Sequence, residues 1–194
     1  LPKDRYYLYR SVWNTKEHTI HLLPHWTWPG REGKITPVFC YTDYPSAELF
    51  VNGKSQGKIS KIKNIEGEVS TGKPATPAEA QERAGRYRLM WNKVIYEPGE
   101  LKVVVYDRTG NKAGEEIIHT AGKATQIVLN ADRPVISADG NDLCFITVSL
   151  TDKEGTMVPD ANDELTFQVT GDGNFKGVCN GDATSLEVFT QPRM

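Results

Sequence analysis

Apolar and polar side chains alternate through this chain in short runs, and each run closes at a turn. Within Leu143–Thr151, Cys144, Ile146, Val148 and Leu150 fall on one side, with Thr147 and Ser149 on the other. A period of two puts alternate side chains on opposite faces of a strand, so this pattern predicts a half-buried strand rather than a helix. The same grammar marks Thr19–Leu23, Ile35–Tyr41, Ala47–Val51, Gly57–Ile59, Tyr87–Ile95, Leu101–Tyr106 and Ala113–Thr120, about seven strands of antiparallel connectivity. Pro37 cannot donate to a ladder and argues for an edge or a bulge in its run. Asn52-Gly53 tolerates positive φ at both positions and predicts a tight hairpin. Trp91, flanked by alternating residues, is expected in the core. Thr125–Asn130, Leu165–Val169, Phe175–Cys179 and Ser185–Phe189 continue the pattern. Short strands with turns about every 8 to 12 residues predict an all-β chain of β-sandwich modules.

Two segments depart from this period. Near the start, Tyr6, Tyr9 and Trp13 are three and four residues apart, which gathers them on one side of a helix that Pro2 can begin. A helix this short is marginal alone and needs a surface to lie against. Residues 60–85 are polar and irregular apart from Thr76-Pro77-Ala78-Glu79, a capping-box sequence with proline at the first helical position. It predicts a turn or two of helix to Arg83, ended by Gly85, in a surface excursion. Ala121-Gly122 reads as a boundary, because charge changes there. Residues 1–122 carry 18 basic and 14 acidic side chains, and the remainder 5 and 11. The expected organisation is therefore a helix at 1–14, a first sandwich at 15–122 and a second domain at 123–194.

The formal net charge of -2 in 194 residues gives no electrostatic reason for nucleic acid or an anionic membrane as a partner. No apolar run is long enough to cross a bilayer. The opening Leu1-Pro2-Lys3-Asp4 has neither an initiator Met nor an apolar signal segment, and reads as the start of a piece excised from a longer chain. Cys40, Cys144 and Cys179 are too few and too scattered for a disulfide scaffold or a zinc site, and buried free thiols are expected.

No arrangement supports chemistry by itself. Asp139 with Asp142, and Asp160 with Asp163 and Glu164, share turns; solvated carboxylates are the simple reading, and a weak calcium site the sharper one. His18, His21, His25 and His119 have no metal-ligand spacing, and no cofactor is expected. Asn52-Gly53-Lys54-Ser55 lacks the earlier glycine and following helix of a phosphate loop. His25, Trp26 and Trp28 form the one suggestive cluster, open to three readings: packing against another domain, the sandwich's own core, or a place beside a sugar.

Seven stretches together carry a resemblance. They are Lys3–Tyr9 through Trp13, His21–Gly33, Ala47–Gly57, Tyr96–Lys102, Thr120–Gly122, Ala138–Leu143 and Gly177–Asp182. In this order they resemble the C-terminal part of glycoside hydrolase family 2 enzymes of the β-galactosidase type from Bacteroides-like bacteria. The resemblance implies two immunoglobulin-like β-sandwich domains in tandem, preceded by a helix similar to the last helix of a catalytic (α/β)8 barrel. The barrel would be the partner of the aromatic face of Tyr6, Tyr9 and Trp13, and carbohydrate a further partner. Retaining glycosidases use two carboxylates about 5 to 5.5 Å apart. No motif here matches either, so no catalytic residue is carried over. The sequence has Thr27 where the family pattern has Asn, and that pattern runs on past Met194, so a closing strand is expected to be missing from the second domain. The implied function is a non-catalytic accessory region of a secreted or periplasmic hydrolase. The alternatives are an independent carbohydrate-binding module and a spacer or adhesion module.

Overall fold

The computed structural model describes residues 2–62, 76–180 and 184–193. It is built mostly of β-strands after a short N-terminal helix, in two compact units, Leu1–Pro159 and Asp160–Met194. In the first unit, α1 (Asp4–Trp13) is followed by β1 (Ile20–Leu23), β2 (Val38–Thr42), β3 (Ser46–Val51), β4 (Lys54–Ser60), α2 (Pro77–Tyr87), β5 (Leu89–Trp91), β6 (Glu100–Tyr106), β7 (Lys112–His119), β8 (Gln126–Ala131) and β9 (Ile146–Thr151).

The first seven strands form two antiparallel sheets, ordered β1-β2-β5 and β4-β3-β6-β7. Alternate residues turn inward from both. Leu22, Val38, Cys40, Leu89 and Trp91 from the smaller sheet share one core with Ala47, Leu49, Val51, Leu101, Val103 and Val105 from the larger. This is a sandwich, and β6 lies at its centre because Val103, Val104 and Val105 suit a strand flanked on both sides. Asn52 and Gly53 turn the β3–β4 hairpin with φ of 49° and 77°. Pro37 corrects its expectation. It stands just before β2, outside the ladder, and β2 is the middle strand of its sheet rather than an edge or a bulge.

Each open side of the sandwich is stitched by one side chain. On the β4–β5 side, Trp91 Nε1 donates to the Gly57 carbonyl at 2.9 Å. On the β1–β7 side, the Leu22 amide donates to a Glu116 carboxylate oxygen at 2.5 Å.

The capping box of Thr76 and Glu79 opens α2 as the sequence implies: the Glu79 amide donates to Thr76 Oγ1, and its carboxylate accepts from the Thr76 amide. Gly85 does not terminate the helix, which continues to Tyr87. A side chain at Gly85 would begin 2.8 Å from Ile62 Cδ1, so the glycine serves a close approach instead. The irregular stretch expected before α2 lies mostly outside the described residues.

β8 and β9 pair as a two-stranded ribbon. Its register places Ile127 opposite Leu150, Leu129 opposite Val148 and Ala131 opposite Ile146, which makes one face wholly apolar. Leu143–Cys144 stay outside β9, which is half-buried as alternation implies apart from Ile146, whereas its partner β8 is exposed throughout, Leu129 by 64 %. The second unit corrects a larger expectation. Among its described residues, the runs at Leu165–Val169, Phe175–Cys179 and Ser185–Phe189 form no regular strands. They meet other backbone at isolated points, among them Phe167 N to Pro192 O and Val178 N to Phe189 O, each at 2.7 Å, and Thr166 makes a single bridge with Arg193. Alternation defines a strand only when a ladder of partner groups runs beside it.

Candidate functional site

Helix α1 has two faces with different fates. Its inner face lies on the outer surface of the smaller sheet. Tyr7 stacks on His21 of β1, ring centroids 3.8 Å apart and 15° from parallel. Asp4 Oδ1 meets His21 Nε2 at 3.0 Å, and Ser11 is buried. Asn14 ends the helix, its amide bonding Arg10 O and its side chain accepting from the Lys16 and Glu17 amides. The outer face carries Tyr6, Tyr9 and Trp13, exposed by 51 %, 50 % and 72 %. Tyr9 and Trp13 stack on each other with centroids 4.8 Å apart. The spacing that gathered these three rings thus produces an open aromatic stripe on a helix whose opposite side is anchored.

The loop after β1 holds His25, Trp26 and Trp28, and the structure separates them. Trp26 is 1 % exposed and belongs to the core. Its ring meets Tyr96 edge-on at 4.9 Å, and its indole N–H donates to Glu97 O at 3.0 Å. Its carbonyl accepts from Thr120 Oγ1 at 2.5 Å. It therefore leaves the set of surface contacts, because a buried indole cannot stack on a ligand in solvent. Trp28 is partly buried beside this core, its amide donating to the Tyr96 hydroxyl and its indole N–H to His25 O. The exposed His25 ring stacks on it at 4.1 Å, and the Arg31 guanidinium lies 5.8 Å from its centroid. Both groups crowd Trp28, so it is not an open platform for a sugar face. Thr27 is buried and accepts from the Ala121 amide, which fastens the loop to the end of the first sandwich.

Beyond these two places, polar groups are used locally. Asp43 accepts from the Thr19 amide at 2.7 Å and from His18 Nδ1 at 2.5 Å. These bonds hold its carboxyl below the ordinary range although burial acts against them. Lys61 donates to Thr42 O, and burial lowers its ammonium from the usual lysine value. Asp139 caps the Asn141 and Asp142 amides, which lower its carboxyl, while Asp142 pairs with Arg133. Asp139 and Asp142 thus serve backbone N–H groups, while Glu164 of the other turn lies 3.7 Å from Arg193. Among the described residues no three His, Cys, Asp or Glu side chains gather as a metal site, and no helix is long and apolar enough to cross a membrane. Sequence reasoning missed Glu116, whose place in alternation marks it only as one residue of an edge strand.

Residues 127–194 match glycoside hydrolase family 2 C-terminal domain 5, and residues 33–114 match a domain of unknown function, DUF4982. Beta-galactosidase BoGH2A of Bacteroides ovatus is 40% identical over 191 residues, covering 97% of this chain and 19% of that protein. A putative beta-glucuronidase of Formosa agariphila is 29% identical, over 93% of this chain and 15% of its own length. The chain thus spans less than a fifth of each of these relatives. Among solved structures, a glycosyl hydrolase family 2 member from Bacteroides cellulosilyticus superposes with a TM-score of 0.82 at 30% identity, over 99% of this chain and 26% of that one. A beta-glycosidase from Bacteroides vulgatus gives 0.76 at 32%, over 100% and 22%.

Proposed function

Because this chain carries the non-catalytic C-terminal domains of a glycoside hydrolase family 2 protein, we propose that it is the accessory region of a β-galactosidase-like retaining glycosidase. The catalytic barrel lies elsewhere on the same polypeptide, and the outer face of α1 is its seat. The parent hydrolyses terminal glycosidic bonds by double displacement with two barrel carboxylates. One observation carries the placement: the inner face of α1 is fixed by Tyr7, Asp4 and Ser11, while Tyr6, Tyr9 and Trp13 stand open on the other. Aromatic residues make strong interface anchors when a partner desolvates them. The name of the Bacteroides ovatus relative supports galactoside as substrate class, and the Formosa relative's name keeps glucuronide as the substrate to compare. A secreted or periplasmic location goes with this reading through the family resemblance. Purified chain is expected to turn over neither nitrophenyl galactoside nor nitrophenyl glucuronide. Turnover of either, abolished by a point substitution within these 194 residues, would contradict the reading. A carbohydrate-binding module is the competitor. Selective retention of the chain on an oligosaccharide array, lost on Trp28→Ala, would decide for it.

A further inference from the structure

β7 breaks the rule that its neighbours obey. Its register places Gly114 opposite Val105, Glu116 opposite Val103 and Ile118 opposite Leu101, and those three partners are core residues. The inward set of β7 is therefore a glycine, a carboxylate and an isoleucine. A carboxylate on the inner side of a sandwich costs free energy unless something needs it there. Both exceptions serve the strand across the seam. Gly114 leaves space for β1, because a Cβ there would stand 2.7 Å from Ile20 Cδ1. Glu116 supplies what β1 lacks. Among the described residues, strand β1 pairs on one side, with β2, and its outward amides meet no ladder partner. The Leu22 amide turns toward β7 and donates to Glu116 at 2.5 Å. The carboxylate takes the place of the backbone carbonyl that a further strand would bring.

We propose that Glu116 is a proton-linked clasp on the β1–β7 side of the sandwich, closed most firmly when its carboxyl is protonated and opened more readily as it ionises. In the closed seam the carboxylate is largely removed from water, and when the seam opens it is hydrated. Ionisation is therefore favoured in the open form, and each proton lost shifts the balance toward opening. A protonated carboxyl keeps an oxygen with which to accept from Leu22, so the bond survives while the cost of burying charge disappears. The groups around it set the balance. Burial pushes the Glu116 carboxyl up, while the Leu22 amide and the His21 ring of β1 act in the opposite direction. From β2 the Cys40 thiol faces the same space and is itself raised, by burial first and then by Glu116. From α1, Asp4 and Tyr7 reach the clasp through His21. From β6, the residue opposite is Val103, which does not titrate. Because β1 also carries the docked face of α1, opening this seam loosens the helix together with the strand.

The sign of the linkage is fixed. The folded carboxyl holds its proton to higher pH than the unfolded one, so its contribution to stability is full below the unfolded value and is lost as pH rises from there through the folded value. The test is amide hydrogen exchange on this chain, corrected for the intrinsic pH dependence of exchange and referred to amides of β6. The protection of the Leu22 amide is expected to fall as pH rises above the ordinary glutamate range toward the raised folded value, with a slope of at most tenfold per pH unit, the limit for release of one proton. In Glu116→Gln, which keeps an acceptor and cannot ionise, the protection is expected to be independent of pH over the same window. In Glu116→Ala the Leu22 amide is expected to exchange faster at every pH. Equal slopes in wild type and Glu116→Gln would overturn the proposal, as would a Leu22 amide equally protected in Glu116→Ala. If the alanine variant does not fold, the glutamine comparison alone decides.

Discussion

Trp26→Ala is expected to destabilise the chain by about 3–5 kcal/mol, and Trp28→Ala by about 1 kcal/mol. The two residues are neighbours in sequence and of the same type, so the difference tests the placement of the loop. Removing Trp26 empties the space beside Tyr96 and the inner faces of both sheets, and a core cavity adds its own cost to the lost transfer energy. It also leaves Glu97 O without its indole donor. Small domains are stable by about 5–15 kcal/mol, so this loss is a large fraction of the whole. Trp28 is only partly buried, with His25 and Arg31 beside it, and its removal leaves a surface that water can fill. Trp26→Phe separates the two contributions. It retains most of the buried area and loses the hydrogen bond, at an expected cost of about 1–3 kcal/mol. Urea titrations of the three variants measure all of this. Equal costs for the two alanine variants would show that the loop is not anchored as described.

The second large effect concerns thiol chemistry. Cys40 is wholly buried between the sheets, and burial first, then the nearby Glu116 charge, pushes its thiol up to about 12. Thiolate is the reactive form, and an ordinary cysteine ionises near about 8.5. At pH 8 the thiolate fraction of Cys40 is therefore roughly a thousandfold below that of an ordinary cysteine. Cys179 is exposed and Cys144 partly so. With an aromatic disulfide reagent at pH 8, Cys179 is expected to react first, while Cys40 reacts at least about a thousandfold more slowly than Cys179, or only after denaturant is added. Cys40→Ala identifies the slow phase. Three thiols reacting at similar rates in the native chain would show that the two sheets do not enclose Cys40.

Much of the first sandwich was legible because its signals are local. The β-branched run Val103–Val105 marks a central strand, Asn52-Gly53 permits one kind of turn, and the Thr76–Glu79 pair satisfies helix amides within four residues. The helical spacing of Tyr6, Tyr9 and Trp13 was equally readable. What escaped depends on partners distant in sequence. Trp26 and Trp28 look alike until Glu97, Tyr96 and Thr120 fix which one turns inward. Glu116 is one charge on an edge strand until β1 arrives across the seam, 94 residues away in sequence. Gly85 resembles a helix stop until Ile62 claims the space beside it. In the second unit alternation was present but a ladder was not, so Leu165, Phe167 and Val169 show the pattern of a strand without its partner.

Photocrosslinking from the outer face of α1 tests directly whether that face seats the catalytic barrel. In the full-length polypeptide that contains this region, a benzophenone amino acid replaces Trp13, and crosslinked peptides are mapped by mass spectrometry. A dominant crosslink to the catalytic barrel of the same polypeptide, weakened by Tyr9→Asp, is expected. This seating is contradicted if Trp13 crosslinks only within these accessory domains, or if the full-length polypeptide leaves this face open to solvent and gives no crosslink.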